Sequence, residues 1–197
     1  QSIGEFDIAI YHLYASLQLM EELNYDYNAA QIKLNLADFH CEQHDYTKTI
    51  EFGSEALSTF IKYEDKTMIA LATEIMAMAH QRLNNWKESL QLYHTSLALF
   101  RETEDLYNLA DTYNNLGTYY YQLSTLDSAL FYHKKSLTLD DSLGSLDGLA
   151  VSYANMALIY ADQQEEEKAE IYIQKSIAIG KETESLQQAM ETIKYAS

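Results

Sequence analysis

The nearest approach to a metal-ligand pattern in this sequence is His40-Cys41-x-x-His44, two imidazoles one helical turn apart. A zinc ion would need further ligands. Cys41 is the only cysteine, so neither a Cys-x-x-Cys site nor an intrachain disulfide is available. His40 also recurs at a constant step as His80, Tyr120 and Tyr160, which reads as an aromatic packing position. No metal and no cofactor are expected. No catalytic residue is expected either, since Gly-x-Ser-x-Gly, His-Glu-x-x-His and glycine-rich phosphate loops are all missing. The run Glu165-Glu166-Glu167 opens a helix, where negative charge complements unpaired amides, and does not read as a catalytic carboxylate pair. Among 17 tyrosines, Tyr113, Tyr119, Tyr120, Tyr132, Tyr153, Tyr160 and Tyr172 fall at helical spacing on positions expected to pack inward, with Trp86 likewise core. His12, His94 and His133 read as surface or inter-repeat residues. What remains is a set of amides. Asn35, Asn115 and Asn155 occupy one point of three repeating units, with Ile75 in the remaining one. An amide has both donor and acceptor, so it can pair with both backbone groups of an extended peptide; it could equally bond a helix terminus or face water.

The elements that position these side chains follow from an internal repeat. Sliding the sequence by the step from His40 to His80 places Leu109, Ala110, Tyr113, Asn115, Tyr120 and Ala129 on Leu149, Ala150, Tyr153, Asn155, Tyr160 and Ala169, without a gap. The same step backwards reaches Met76, Ala77 and His80, then Leu36, Ala37 and His40. Asp65, Asp105, Ser145 and Ser185 precede one helix of each unit, and Asp45, Asn85, Thr125 and Glu165 the other; all but Glu165 are good N-cap types. Each unit is thus predicted to be two helices: A over 28–43, 66–83, 106–123 and 146–163, and B over 46–62, 86–102, 126–141 and 166–183. Residues 6–22 match only a helix B and 186–196 only the start of a helix A. A single domain is expected over 1–197, with a partial repeat at 1–25, repeats at 26–65, 66–105, 106–145 and 146–185, and a further start at 186–197. Because both ends fall inside a repeat, the chain is expected to be a piece of a longer protein.

Composition narrows the partners. Proline is absent, glycine is scarce at 6 residues, and 47% of residues are hydrophobic, which suits an all-α chain. A formal net charge of −17 repels phosphate backbones and anionic lipid, so neither nucleic acid nor membrane is an expected partner of this segment. A basic or apolar protein or peptide is easier to accommodate. The single cysteine fits a cytoplasmic setting, with a periplasmic sensor region as the alternative.

Leu116-Gly117-x-x-Tyr120 followed by Ala129, with its counterparts Leu36-Ala37, Met76-Ala77 and Met156-Ala157, resembles the tetratricopeptide repeat. Small residues at Ala37, Ala77, Gly117 and Ala157, at Thr49, Ser89, Ala129 and Ala169, and at Ala56, Ser96, Ser136 and Ser176 would let helix backbones approach closely. Two features depart from the family. Its proline near the end of helix B is replaced by Ile61, Arg101, Asp141 and Lys181. The unit is also longer, about 40 residues against the family's commoner length of about 34. Units of this length are similar to those of kinesin light chains, LGN/Pins-type adaptors, Rap regulators of bacilli, and sensor regions of bacterial signalling and transcription proteins. The resemblance implies an all-α, right-handed α-solenoid of stacked antiparallel helix pairs, with a concave wall built from helix A. It implies a protein- or peptide-binding scaffold in the sensing or interaction region of a bacterial signalling or transcription-regulatory protein; the alternative is a purely structural or self-associating helical repeat segment of a multidomain adaptor, and apolar faces at the repeat ends would allow an end-to-end homodimer. The implied groove residues are Asn35, Asp38, Glu42, Glu74, Met78, Asp111, Asn114, Asn115, Thr118, Tyr121, Asn155 and Leu158, with Asp162 and Gln81 beside them. Lys33 and Arg82 stand isolated among Leu34, Asp38, Glu74 and Met78, so the carboxylate clamp of chaperone-binding relatives is not expected.

Overall fold

The computed structural model describes residues 3–181, and within them the chain is helical with no strand. The helices are α1 (Ile3–Glu22), α2 (Asp26–Glu42), α3 (Tyr46–Lys62), α4 (Lys66–Arg82), α5 (Trp86–Glu102), α6 (Leu106–Gln122), α7 (Leu126–Leu143), α8 (Leu146–Asp162) and α9 (Glu166–Gly180). From α2 onward their starts are evenly spaced along the chain. The expected starts of Ser185 and residues 186–196 lie outside the described residues.

One device ends each helix and starts the next. A residue with positive φ recurs once per helix: Asn24, His44, Glu64, Asn84, Glu104, Ser124, Gly144 and Gln164. It turns the chain so that the following amide reaches back to close the helix, as in Asp45 N to the His40 carbonyl at 2.9 Å and Asp65 N to the Phe60 carbonyl at 3.1 Å. The carboxylates of Asp45, Asp65 and Asp105 and the Ser145 hydroxyl then accept from the first turn of the next helix. Asp45, Asp65 and Ser145 therefore serve two helices each. Asn85 and Thr125 differ from the expected caps: Asn85 turns toward His80, and the Thr125 hydroxyl donates back to the Tyr120 carbonyl at 2.8 Å.

Two compact units result, residues 1–103 and 104–197. In the first, α2 pairs with α3 and α4 with α5, α1 packs on α2, and α2 also meets α4. Phe60 is fully buried among Ala30, Leu34, Ala56 and Ala72, a burial worth roughly 2–3 kcal/mol. In the second, α6 pairs with α7 and α8 with α9, and α6 meets α8; Ala129, Leu130, Met156, Ile159 and Tyr160 form its core.

The small residues do what close packing requires. Ala37, Ala77, Ala157, Thr49, Ser89, Ala129, Ala56 and Ser96 are buried. At Gly117 a methyl group would stand 2.5 Å from the His133 ring. His133 is accordingly buried at 1% exposure, inside its own helix pair and not on the surface. Trp86 is only half-buried, at the rim of the core. In the step that places Phe60 and Phe100 in the core, the next residue is Asp140, also buried; its carboxylate rests on Gly148 and accepts from Ser136 at 3.1 Å and Ser152 at 3.4 Å.

Candidate functional site

On α2 the residues Asn28, Gln31, Asn35, Asp38 and Glu42 alternate three-apart and four-apart spacings, which sets them in one stripe. Asn28, Asn35, Asp38 and Glu42 are exposed and Gln31 is half-buried. The matching stripe of α4 is Met68, Leu71, Ile75 and Met78, apolar and half-buried, and it ends in the exposed Arg82, whose charge is felt at Cys41 together with those of Asp38 and Glu42. Between α2 and α4, with Met20 of α1 and Leu34 at its edge, lies a cavity of about 460 Å³ lined by the three amides and by Met68 and Leu71. None of Asn28, Gln31 and Asn35 makes a side-chain hydrogen bond to another described residue. An open apolar floor with unspent amides on one wall suits an extended backbone.

Charge in this stripe is unbalanced. Asp38 stands open to water, yet surrounding protein desolvates it and pushes its carboxyl up from the ordinary value. Asp38 and Glu42 sit toward the C-terminal end of α2, where the helix dipole disfavours negative charge. Neither has an ion-pair partner among the described residues. Lys33, which the sequence leaves isolated, is committed elsewhere: its ammonium bridges Glu21 at 2.9 Å and Glu55 at 2.8 Å, tying α2 to α1 and α3.

The other sequence-predicted residues fall differently. Met78 belongs to the apolar stripe of α4, whereas Glu74 on the same helix is buried at 7% exposure and engaged. Gln81 is buried and accepts from the Tyr93 hydroxyl at 2.8 Å. In the second unit, polar groups of α6 and α8 satisfy one another. The Asn114 carbonyl oxygen accepts from Asn155 Nδ2 at 2.9 Å and from His133 Nδ1 at 3.1 Å, which fixes the proton of the neutral imidazole on Nδ1. Tyr121 donates to Asp162 at 2.7 Å; burial, then the neighbouring carboxylate, pushes its hydroxyl up to about 12. Thr118 donates to the Asn114 backbone, and Asn115 is half-buried and engaged. Asp111 is exposed, with its carboxyl raised by desolvation and then by Asp140 and Asp105, and Leu158 is half-buried.

The His40 and His44 rings do not converge. His40 is buried, stacked on Phe52 at 5.7 Å with Tyr14 Oη 3.0 Å from Nε2, while His44 occupies the positive-φ turn beside Tyr46. Burial, followed by the Asp38 carboxylate, raises the Cys41 thiol, so thiolate is scarce at neutral pH. Among the described residues no group of three or more acidic, histidine or cysteine side chains could hold a metal. No helix there is long and apolar enough to cross a membrane.

Comparison with known proteins decides the family. Residues 67–142 and 149–190 match models described as tetratricopeptide repeat, and together they span more than half of the chain. The chain belongs to the tetratricopeptide repeat family. Its all-α architecture is the tetratricopeptide solenoid, and such repeats are protein-binding scaffolds. Among solved structures, a Rap protein complexed with competence and sporulation factor is similar over 96% of this chain, at 19% identity and a TM-score of 0.88. Aspartyl phosphate phosphatase F from Bacillus subtilis matches over 96%, at 13% identity and a TM-score of 0.87. BtubC from P. vanneervenii matches over 89%, at 22% identity and 0.76, with 73% of its own length covered. At these identities the likeness is one of fold. The chain spans about half the length of the first two, 53% and 51%. No curated protein matches it.

The sequence alone points to Asn35, Asp38 and Glu42 and passes over Asn28 and Gln31. The signal is present as the three-four spacing running back from Asn35. It is masked because the sequence pattern sets Asn28 at the very start of helix A, whereas α2 begins at Asp26.

Proposed function

We propose that this tetratricopeptide segment is a non-catalytic scaffold that holds an extended, cationic or apolar peptide along α2 and α4 of its first unit. The observation that carries the reading is the set of three unspent amides, Asn28, Gln31 and Asn35, beside the apolar stripe of α4. The amides would pair with the guest's backbone, Met68 and Leu71 would take its apolar side chains, and Asp38 and Glu42 would draw basic ones. The segment is then the sensing or interaction region of a larger bacterial signalling or regulatory protein. Fold likeness to a Rap protein held with a factor supports this assignment.

Selection from a random-peptide display library, followed by calorimetry, tests it. Enriched peptides should be basic or apolar and should bind the Asn28→Ala/Gln31→Ala/Asn35→Ala variant at least about tenfold more weakly, a loss of about 1.4 kcal/mol or more. Equal affinity for the variant would remove this site from consideration.

A second reading rests on α1, where Ile8, Tyr11 and Leu19 are 59%, 68% and 50% exposed along one stripe. Such a face suits association with a second copy. Sedimentation at rising concentration should then show a dimer that Leu19→Glu disperses; a monomer throughout would reject it.

A further inference from the structure

The second unit carries a surface of the opposite character. Phe131 on α7 and Ile171 on α9, one repeat apart, are 53% and 54% exposed. One helical turn after each stands a lysine, Lys135 and Lys175, seated on aromatic rings. Lys135 Nζ lies 5.4 Å from the Tyr113 ring centre and 5.1 Å from Phe131, and Lys175 Nζ lies 5.2 Å from both Tyr153 and Tyr172. Lys134 is exposed beside them and its charge is felt at Tyr172. None of these three lysines has a carboxylate partner among the described residues. Beside Lys134 and Lys135 is a cavity of about 440 Å³ lined by these two lysines and by Leu109, Tyr113, Phe131, Thr138 and Leu139.

Against a formal charge of −17, acidic side chains abound, yet these three ammonium groups remain without one. The first unit holds two equivalent positions: Thr95, which is uncharged, and Glu55, which is closed by Lys33 at 2.8 Å. Aromatic seats hold the lysine stems in place, so their ammonium groups need little ordering when a carboxylate arrives. An apolar cavity bounded by fixed positive charge, in a protein otherwise repulsive to acids, is complementary to one kind of chain.

We propose that the face formed by α7 and α9 docks an acidic segment of a partner protein. Apolar or aromatic side chains of that segment enter the cavity at Phe131, and its carboxylates meet Lys134, Lys135 and Lys175. This surface is separate from the α2–α4 site and selects the opposite charge, so the molecule joins a basic or apolar guest to an acidic partner.

A random-peptide display library panned on the full chain, with counter-selection on Lys134→Glu and on Phe131→Ser, tests the proposal. Both changes are at exposed positions, and circular dichroism of each variant checks that it remains folded. Peptides lost on counter-selection should be acidic with at least one aromatic or leucine side chain. They should bind the Lys134→Glu chain at least about tenfold more weakly, and raising the salt should weaken binding further. The proposal is overturned if no peptide is enriched, if the enriched peptides lack an acidic excess, or if the variants bind them unchanged. It is also overturned if phosphatidylserine vesicles bind the chain through Lys134 in place of peptide, or if a dimer dispersed by Lys134→Glu shows a second copy on this face. The first-unit site fails separately, because its peptides are basic or apolar and respond to the three amides.

Discussion

His133 makes a quantitative claim about pH. Its ring is buried against Gly117, and burial moves its pKa from the ordinary 6.5 down to about 4. Burial favours the neutral form, whose Nδ1 donates to Asn114. In the unfolded chain the imidazole takes its proton near 6.5, while in the folded chain it waits until about 4. Between these values the unfolded state binds more protons. Stability from this residue is therefore complete above 6.5, is lost as pH falls, and is exhausted near 4. The gap corresponds to about 3 kcal/mol in all, of which about 2 kcal/mol falls between pH 7 and pH 5. Raised carboxyls act the other way, since Asp38, Asp111 and Asp140 bind protons more readily when folded and add stability as pH drops. The comparison must therefore be made against His133→Gln, which leaves those acids in place. Urea unfolding of both chains, followed by circular dichroism from pH 7 to pH 5, should show the wild type losing about 2 kcal/mol more than the variant. Two curves that stay parallel would refute the assignment of a buried, neutral His133.

Other consequences follow from packing and turns. Gly117→Ala puts a methyl group 2.5 Å from the His133 ring and should cost about 1–3 kcal/mol by urea unfolding, with His133→Ala in the same chain recovering part of that loss. Ser89 is buried with a hydroxyl that finds no partner among the described residues, at the place where Ala129 and Ala169 stand in later units; Ser89→Ala should stabilise by about 1 kcal/mol. Glu64 holds a left-handed turn at φ 56°, so Glu64→Gly should raise stability by about 1 kcal/mol and lift the melting temperature, whereas Glu64→Val should lower both.

The periodic part of this molecule is legible because one repeating step carries packing, capping and helix length together. Ala37, Ala77, Gly117 and Ala157 declare where helices cross, and Asp65, Asp105 and Ser145 where they begin, since each of those jobs admits few residue types. Turn exits are illegible for the converse reason. Asn24, His44, Glu64, Asn84, Glu104, Ser124 and Gln164 all take positive φ, and no glycine marks them. The repeat pattern misplaces His133 because its burial depends on Gly117 and Asn114 one helix away. The amides show the same limit: Asn35 and Asn155 look alike in the repeat, but Asn155 faces Asn114 and Asn35 faces the apolar α4.

Side-chain amide resonances of a nitrogen-15-labelled chain, titrated with a basic or apolar peptide from the library, examine the proposed groove at its own atoms. Saturable shifts at the NH2 groups of Asn28, Gln31 and Asn35, with the Asn155 amide staying in place, are the outcome expected of a guest lying between α2 and α4. Binding that leaves those three signals unmoved would contradict it.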